Sequence, residues 1–230
     1  TLYQRPLDQR FLLAALAADP QTDPGRCAII GYSMGGYGAL VTAGAGLAPG
    51  METHEAAPPN RTLAEHLQGQ VAPPPPGLRA VIALGPWGHG HGVWTAEGLA
   101  AIRVPLLVMA GSVDTTSVYA GMRGIAEAAR GSLLTFENAG HNAAAPIPAP
   151  AESHAHSERL GWAPFLHYAD PVWDSLRMNA LAQHFAAAFL DRHLKDDLTR
   201  DALLTPATAF SPEAGFAEGM SAGLRLEVWR

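Results

Sequence analysis

Apolar residues fall along this chain in two rhythms, short unbroken runs and helically spaced sets, and their alternation predicts an α/β fold built on a mostly parallel sheet. The runs Cys27-Ala28-Ile29-Ile30, Leu78-Arg79-Ala80-Val81-Ile82-Ala83-Leu84, Val104-Pro105-Leu106-Leu107-Val108-Met109-Ala110-Gly111 and Leu133-Leu134-Thr135-Phe136 read as strands. Among them lie helical patterns. Phe11-Leu12-Leu13-Ala14-Ala15-Leu16-Ala17 predicts a helix stopped by Asp19-Pro20. Met34, Tyr37, Ala39, Leu40, Val41 and Ala43 predict a second, and Val118, Met122, Ile125 and Ala129 a third. A closing amphipathic helix is expected over 173–195, where Leu181, Phe185, Ala188 and Phe189 recur at helical spacing as a core stripe. Asp170, ahead of Pro171, reads as its N-cap.

Two stretches break the rhythm. Residues 48–77 are rich in proline and polar side chains, including Pro73-Pro74-Pro75-Pro76, and read as a surface excursion with a short helix near Leu63-Ala64-Glu65-His66-Leu67. Residues 146–170 form a second excursion, studded with Trp162, Phe165 and Tyr168, and read as a flap over the acyl pocket, its aromatics equally able to do no more than pack it down. With 230 residues, 48% of them hydrophobic, one domain spanning 1–230 is the expectation. A net charge of −6 without a basic run excludes a cationic footprint for nucleic acid or an anionic membrane surface. No apolar segment approaches the roughly twenty residues of a membrane span. Cys27, the single cysteine, has no intrachain partner for a disulfide and reads as a small buried hydrophobe in its strand. The compartment stays open.

The candidate chemistry begins at Gly31-Tyr32-Ser33-Met34-Gly35-Gly36, directly after the first strand. It has the form of a nucleophile elbow, a tight strand-to-helix turn that presents a serine. Gly31 and Gly35 are expected where side chains would collide with backbone. The helix that follows points its first amides at an oxyanion, and Met34 N–H is one expected donor. Downstream, Asp114 follows the end of one strand and His141 the end of another, so the order is Ser, Asp, His. Strand ends at the carboxyl edge of an open sheet are where functional groups gather.

Each has a plainer role to weigh. Asp114 could cap the helix after it, and the serine could itself be a cap. Glu137, Asp170 and Asp174 are the lower-ranked acids, and His154 or His156 would stand in for His141. Tyr32, beside the serine, and Trp87, just past the 78–84 strand, are the candidate substrate-binding side chains; Trp87 could equally cover the core edge. The alternating His89/His91 and His154/His156 lack the paired cysteines or HExxH helix of a zinc site, so no metal is expected.

The elbow sequence, the Asp114 and His141 contexts and the closing helix resemble the α/β-hydrolase superfamily. Within it they resemble the dienelactone-hydrolase-like and platelet-activating-factor-acetylhydrolase-like esterases. Arg5-Pro6-Leu7-Asp8 is similar to the segment opening the helix before the elbow in such proteins, and Gly215-Phe216 with Gly223-Leu224-Arg225-Leu226 to their tail. The resemblance implies hydrolysis of a small carboxylic ester without cofactor or metal, with Ser33 as nucleophile, Asp114 as acid and His141 as base. Serine at the nucleophile position, where dienelactone hydrolases often have cysteine, places the chain nearer the acetylhydrolase or general esterase branch. An acyltransferase or perhydrolase would use the same three residues, and a non-catalytic binding subunit could keep the fold.

The chain departs from the family before the elbow. Members carry several strands there, and one of their loops holds an HG-type motif supplying a second oxyanion donor. Only one helix precedes the elbow strand here. The expectation is that an upstream segment, or a second chain of the same precursor, completes the sheet.

Overall fold

The computed structural model describes residues 1–55, 57, 63–145, 149–170 and 172–230. Five strands, β1 (Cys27–Tyr32), β2 (Leu78–Leu84), β3 (Leu106–Gly111), β4 (Ser132–Phe136) and β5 (Leu224–Val228), form one sheet in the order β1-β2-β3-β4-β5. The first four are parallel and β5 runs antiparallel to β4. Helices α1 (Gln4–Ala17), α2 (Met34–Thr42), α3 (Ala96–Ala100), α4 (Tyr119–Ala128) and α5 (Ser175–Leu194) flank it.

The period-two alternation of a strand sends its side chains to opposite faces, and the core divides accordingly. Val81, Ala83, Val108 and Ala110 pack with Tyr37, Leu40 and Val41 of α2 and Met122 and Ile125 of α4. Ala80, Ile82, Leu84, Leu107 and Met109 face the other way, against Met178, Ala182, Phe185 and Phe189 of α5. Burial on both faces is why these strands read as unbroken apolar runs.

β1 lies at the sheet edge, with β2 as its only neighbour among the described residues. The Cys27 N–H donates to Gly77 O and the Ser33 N–H to Leu84 O, so the odd-numbered residues of β1 bond towards β2. In a parallel strand both backbone groups of a residue point to one side. Those of Ala28, Ile30 and Tyr32 therefore point off the edge, and the Ile30 side chain is half exposed. α1 packs on α2, leaves Phe11, Leu12 and Leu16 in solvent and buries only Pro6. α1 is held largely by polar links: Gln9 Nε2 donates to Gly35 O at 3.1 Å, and Arg10 donates to Thr42 O, Ala72 O and Pro73 O.

Several expectations shift. α1 begins seven residues before Phe11, and Cys27 is half-buried at the exposed edge rather than a core residue. Its thiol is raised above the ordinary cysteine value, by burial first and by the charge of Asp23 second. The strand β5 was not expected. α5 opens at Ser175, with Asp174 as N-cap accepting from Arg177 N at 2.8 Å, so Asp170 is not its cap. Pro171 lies outside the described residues. The short helix near Leu63 is a single 3₁₀ turn, Ala64–His66. In the second excursion His154 stacks on Phe165, and Trp162 meets His167 edge to face, packing the segment on itself.

Candidate active site

Ser33 sits between β1 and α2 with φ 52° and ψ −115°, a conformation costly for a residue with a Cβ. Three backbone hydrogen bonds hold it there. Its N–H donates to Leu84 O (2.8 Å), and its carbonyl accepts from Tyr37 N (3.1 Å) and Trp87 N (3.2 Å). The turn closes so tightly that a Cβ on Gly31 would lie 2.3 Å from Gly35 O. The second tight position is Gly36, whose added Cβ would meet Pro86 at 3.0 Å, and not Gly35, which has open space. Met34 heads α2, so its amide is among the first-turn N–H groups that have no acceptor within the helix.

β3 and β4 bring the partners. A Cβ on Gly111, at the end of β3, would lie 2.3 Å from both Ala139 O and Gly140 O, so this glycine lets the loop after β4 cross the tip of β3. That crossing aligns three side chains. The Ser33 hydroxyl donates to His141 Nε2 at 3.0 Å, and His141 Nδ1–H donates to Asp114 Oδ2 at 2.8 Å. Asp114 Oδ1 accepts from the amides of Thr116 (2.7 Å) and Ser117 (3.0 Å), so the carboxylate closes the turn ahead of α4 and faces the imidazole at once. Its side chain is almost fully buried. Burial alone pushes the Asp114 carboxyl up; the hydrogen bonds from His141, Ser117 and Thr116 and the attraction of His141 outweigh it, leaving the group below the usual carboxylate range.

Tyr32 packs under this array. Its ring lies 5.4 Å from the His141 ring, and its hydroxyl donates to His141 O at 3.2 Å, with Asn142 Oδ1 also near at 3.3 Å. Burial, then the Asp114 charge, pushes the phenol up to about 12. Trp87 stands just past β2, stacked on His91 at 4.8 Å, and His91 Nε2 donates to Thr116 O in the Asp114 turn. The Trp87 N–H is engaged by Ser33 O, so it is not a free donor for an oxyanion. His89 Nδ1 donates to Trp94 O, so the two histidines of this loop serve different carbonyls.

Three of the fallback residues lie elsewhere. Glu137 pairs with Arg225 at 2.9 Å, Asp174 caps α5 and His154 stacks on Phe165. Ser117 and Asn142, which the sequence does not single out, adjoin the array, as does Asp170, the lower-ranked acid, which meets the Gly140 amide and not the imidazole. Ser117 ties the Asp114 turn to Gly85 O through its hydroxyl, and Asn142 and Asp170 tie the His141 loop to residues 167–170. A serine, an asparagine and an aspartate that bond to backbone leave no spacing signature. No family model and no curated protein matches this sequence.

Proposed function

We propose that this chain is a serine hydrolase of α/β-hydrolase fold that cleaves carboxylic esters through an acyl-enzyme. The observation that carries the reading is the continuous Ser33–His141–Asp114 array, with the serine held in a strained turn at the head of a helix. As Ser33 Oγ bonds to the ester carbonyl carbon, its proton passes to His141 Nε2. The imidazolium is stabilised by Asp114, whose hydrogen bond fixes Nδ1 as the protonated nitrogen. Collapse of the tetrahedral adduct breaks the bond to the alcohol oxygen, which takes the Nε2 proton. Water then repeats the sequence on the acyl-serine. The Met34 amide stabilises the oxyanion, while Tyr32 and Trp87 flank the substrate.

The second oxyanion donor belongs, in this reading, to a polypeptide segment that pairs in parallel with the free edge of β1. Supporting it are the backbone groups of Ala28, Ile30 and Tyr32 aimed off the sheet and the exposed apolar side chains of Ile30, Phe11, Leu12 and Leu16. A chromogenic short-chain ester tests the function. A pre-steady-state burst equal to the concentration of sites is expected for acyl-enzyme turnover. Stoichiometric ester binding without alcohol release would point instead to a non-catalytic binding subunit.

A further inference from the structure

We propose that Asp170 and Asn142 are positioning residues that set the His141 imidazole, so that the end of the 146–170 excursion governs the base. The inference rests on the hydrolase reading for its consequence in turnover. Its geometry is independent of that reading.

His141 lies on a short loop without regular structure, where an imidazole would ordinarily be free to wander. It is gripped on both sides. The amide of Gly140, the residue before it, donates to Asp170 Oδ2 at 2.7 Å. The other oxygen of the same carboxylate, Oδ1, accepts from Val172 N and Trp173 N at 2.9 Å each, which fixes the carboxylate in place. On the far side, Asn142 Nδ2 donates to His167 O at 2.5 Å and Ala169 O at 3.0 Å. Trp173 Nε1 donates to Glu137 O at 2.8 Å and closes the same seam. Residues 167–170, with Val172 and Trp173, thus act as a splint along 137–142. An acceptor that is charged strengthens the hydrogen bond from Gly140, and a base misplaced by about 1 Å loses on the order of a hundredfold in rate.

Asp170→Asn isolates the contact. Asparagine keeps Oδ1 for the amides of Val172 and Trp173 but turns an N–H₂ towards the Gly140 N–H. Two readouts are taken: the rate at which a fluorophosphonate labels Ser33, and the downfield proton NMR signal of His141 Nδ1–H, identified by its loss in His141→Ala. The expected result is labelling slowed about tenfold or more, a shifted or broadened imidazole signal, and a melting temperature close to that of the parent. In a His141→Ala background the second substitution should change nothing further. Asn142→Ala, which removes the opposite grip, should act in the same direction and serves if Asp170→Asn does not fold. Parental labelling and an unchanged imidazole signal in the folded variants would overturn the proposal, as would equal slowing with His141 absent. Failure of the parent itself to label would count against the hydrolase reading, while the imidazole signal still decides the positioning claim.

Discussion

Asp114 meets His141 at 2.8 Å from a carboxylate whose other oxygen is saturated by two backbone amides. The imidazole therefore faces an acceptor that is fixed, buried and ionised across the neutral range. Asp114→Asn should keep this shape but can present N–H₂ to Nδ1, favouring the wrong tautomer. Turnover is expected to fall by about ten-thousandfold, as it does when this acid is neutralised in a serine triad. Steady-state kinetics on a soluble ester measures it.

The same carboxylate makes a stability prediction. Its folded-state value lies below the unfolded value of about 3.9, so its contribution is complete above that pH and is lost as the pH falls through the folded value. The melting-temperature gap between the parent and Asp114→Asn should be widest near neutrality and should narrow below about pH 4. A gap that stays constant from neutral pH down through that range would contradict it.

At the serine turn, two glycines four residues apart should behave oppositely. Gly31→Ala puts a methyl 2.3 Å from Gly35 O, a backbone atom that cannot swing away. A loss of at least about 2 kcal/mol is expected in denaturant unfolding. Gly35→Ala places its methyl in open space on α2, where the change from glycine to alanine favours the helix by up to about 1 kcal/mol.

What the sequence made legible, and what it hid, follows from burial. β2 can be read to both ends because both its faces are largely covered, so Leu78–Leu84 is apolar but for Arg79 and lies between Gly77 and Gly85. Ser33, Asp114 and His141 could be placed because each follows a strand, and parallel strands bring their ends to one edge. β5 carries only the weaker signal of a strand with one face exposed, the alternation Leu224-Arg225-Leu226-Glu227-Val228. Asp170 before Pro171 mimicked a helix cap. Its real partner, the Gly140 amide, lies 30 residues away and has no side chain to announce it. Cys27 looks like core because an apolar run does not say whether its strand has one neighbour or two.

Tyr32 couples the strand before the serine to the histidine loop through one hydroxyl. Tyr32→Phe should retain the ring beneath His141 and lose that tether, at a cost of about 1 kcal/mol in unfolding free energy, the usual worth of such a bond. A variant equal to the parent in denaturant unfolding would show that the tether contributes nothing.

The free edge of β1 predicts association. The 24.2 kDa chain studied alone by light scattering should self-associate or aggregate, and a partner that pairs with β1 should suppress this and raise turnover. A monodisperse, fully active monomer of the chain would refute the need for that segment.

The central claim is that Ser33 is a nucleophile activated by His141. A fluorophosphonate probe followed by peptide mass spectrometry tests it most directly, because the adduct marks the attacking atom without requiring knowledge of the natural ester. The account predicts one adduct per chain, on Ser33, lost in Ser33→Ala and strongly slowed in His141→Ala. Labelling of another serine with Ser33 unmodified, or no labelling of the folded protein, would contradict it.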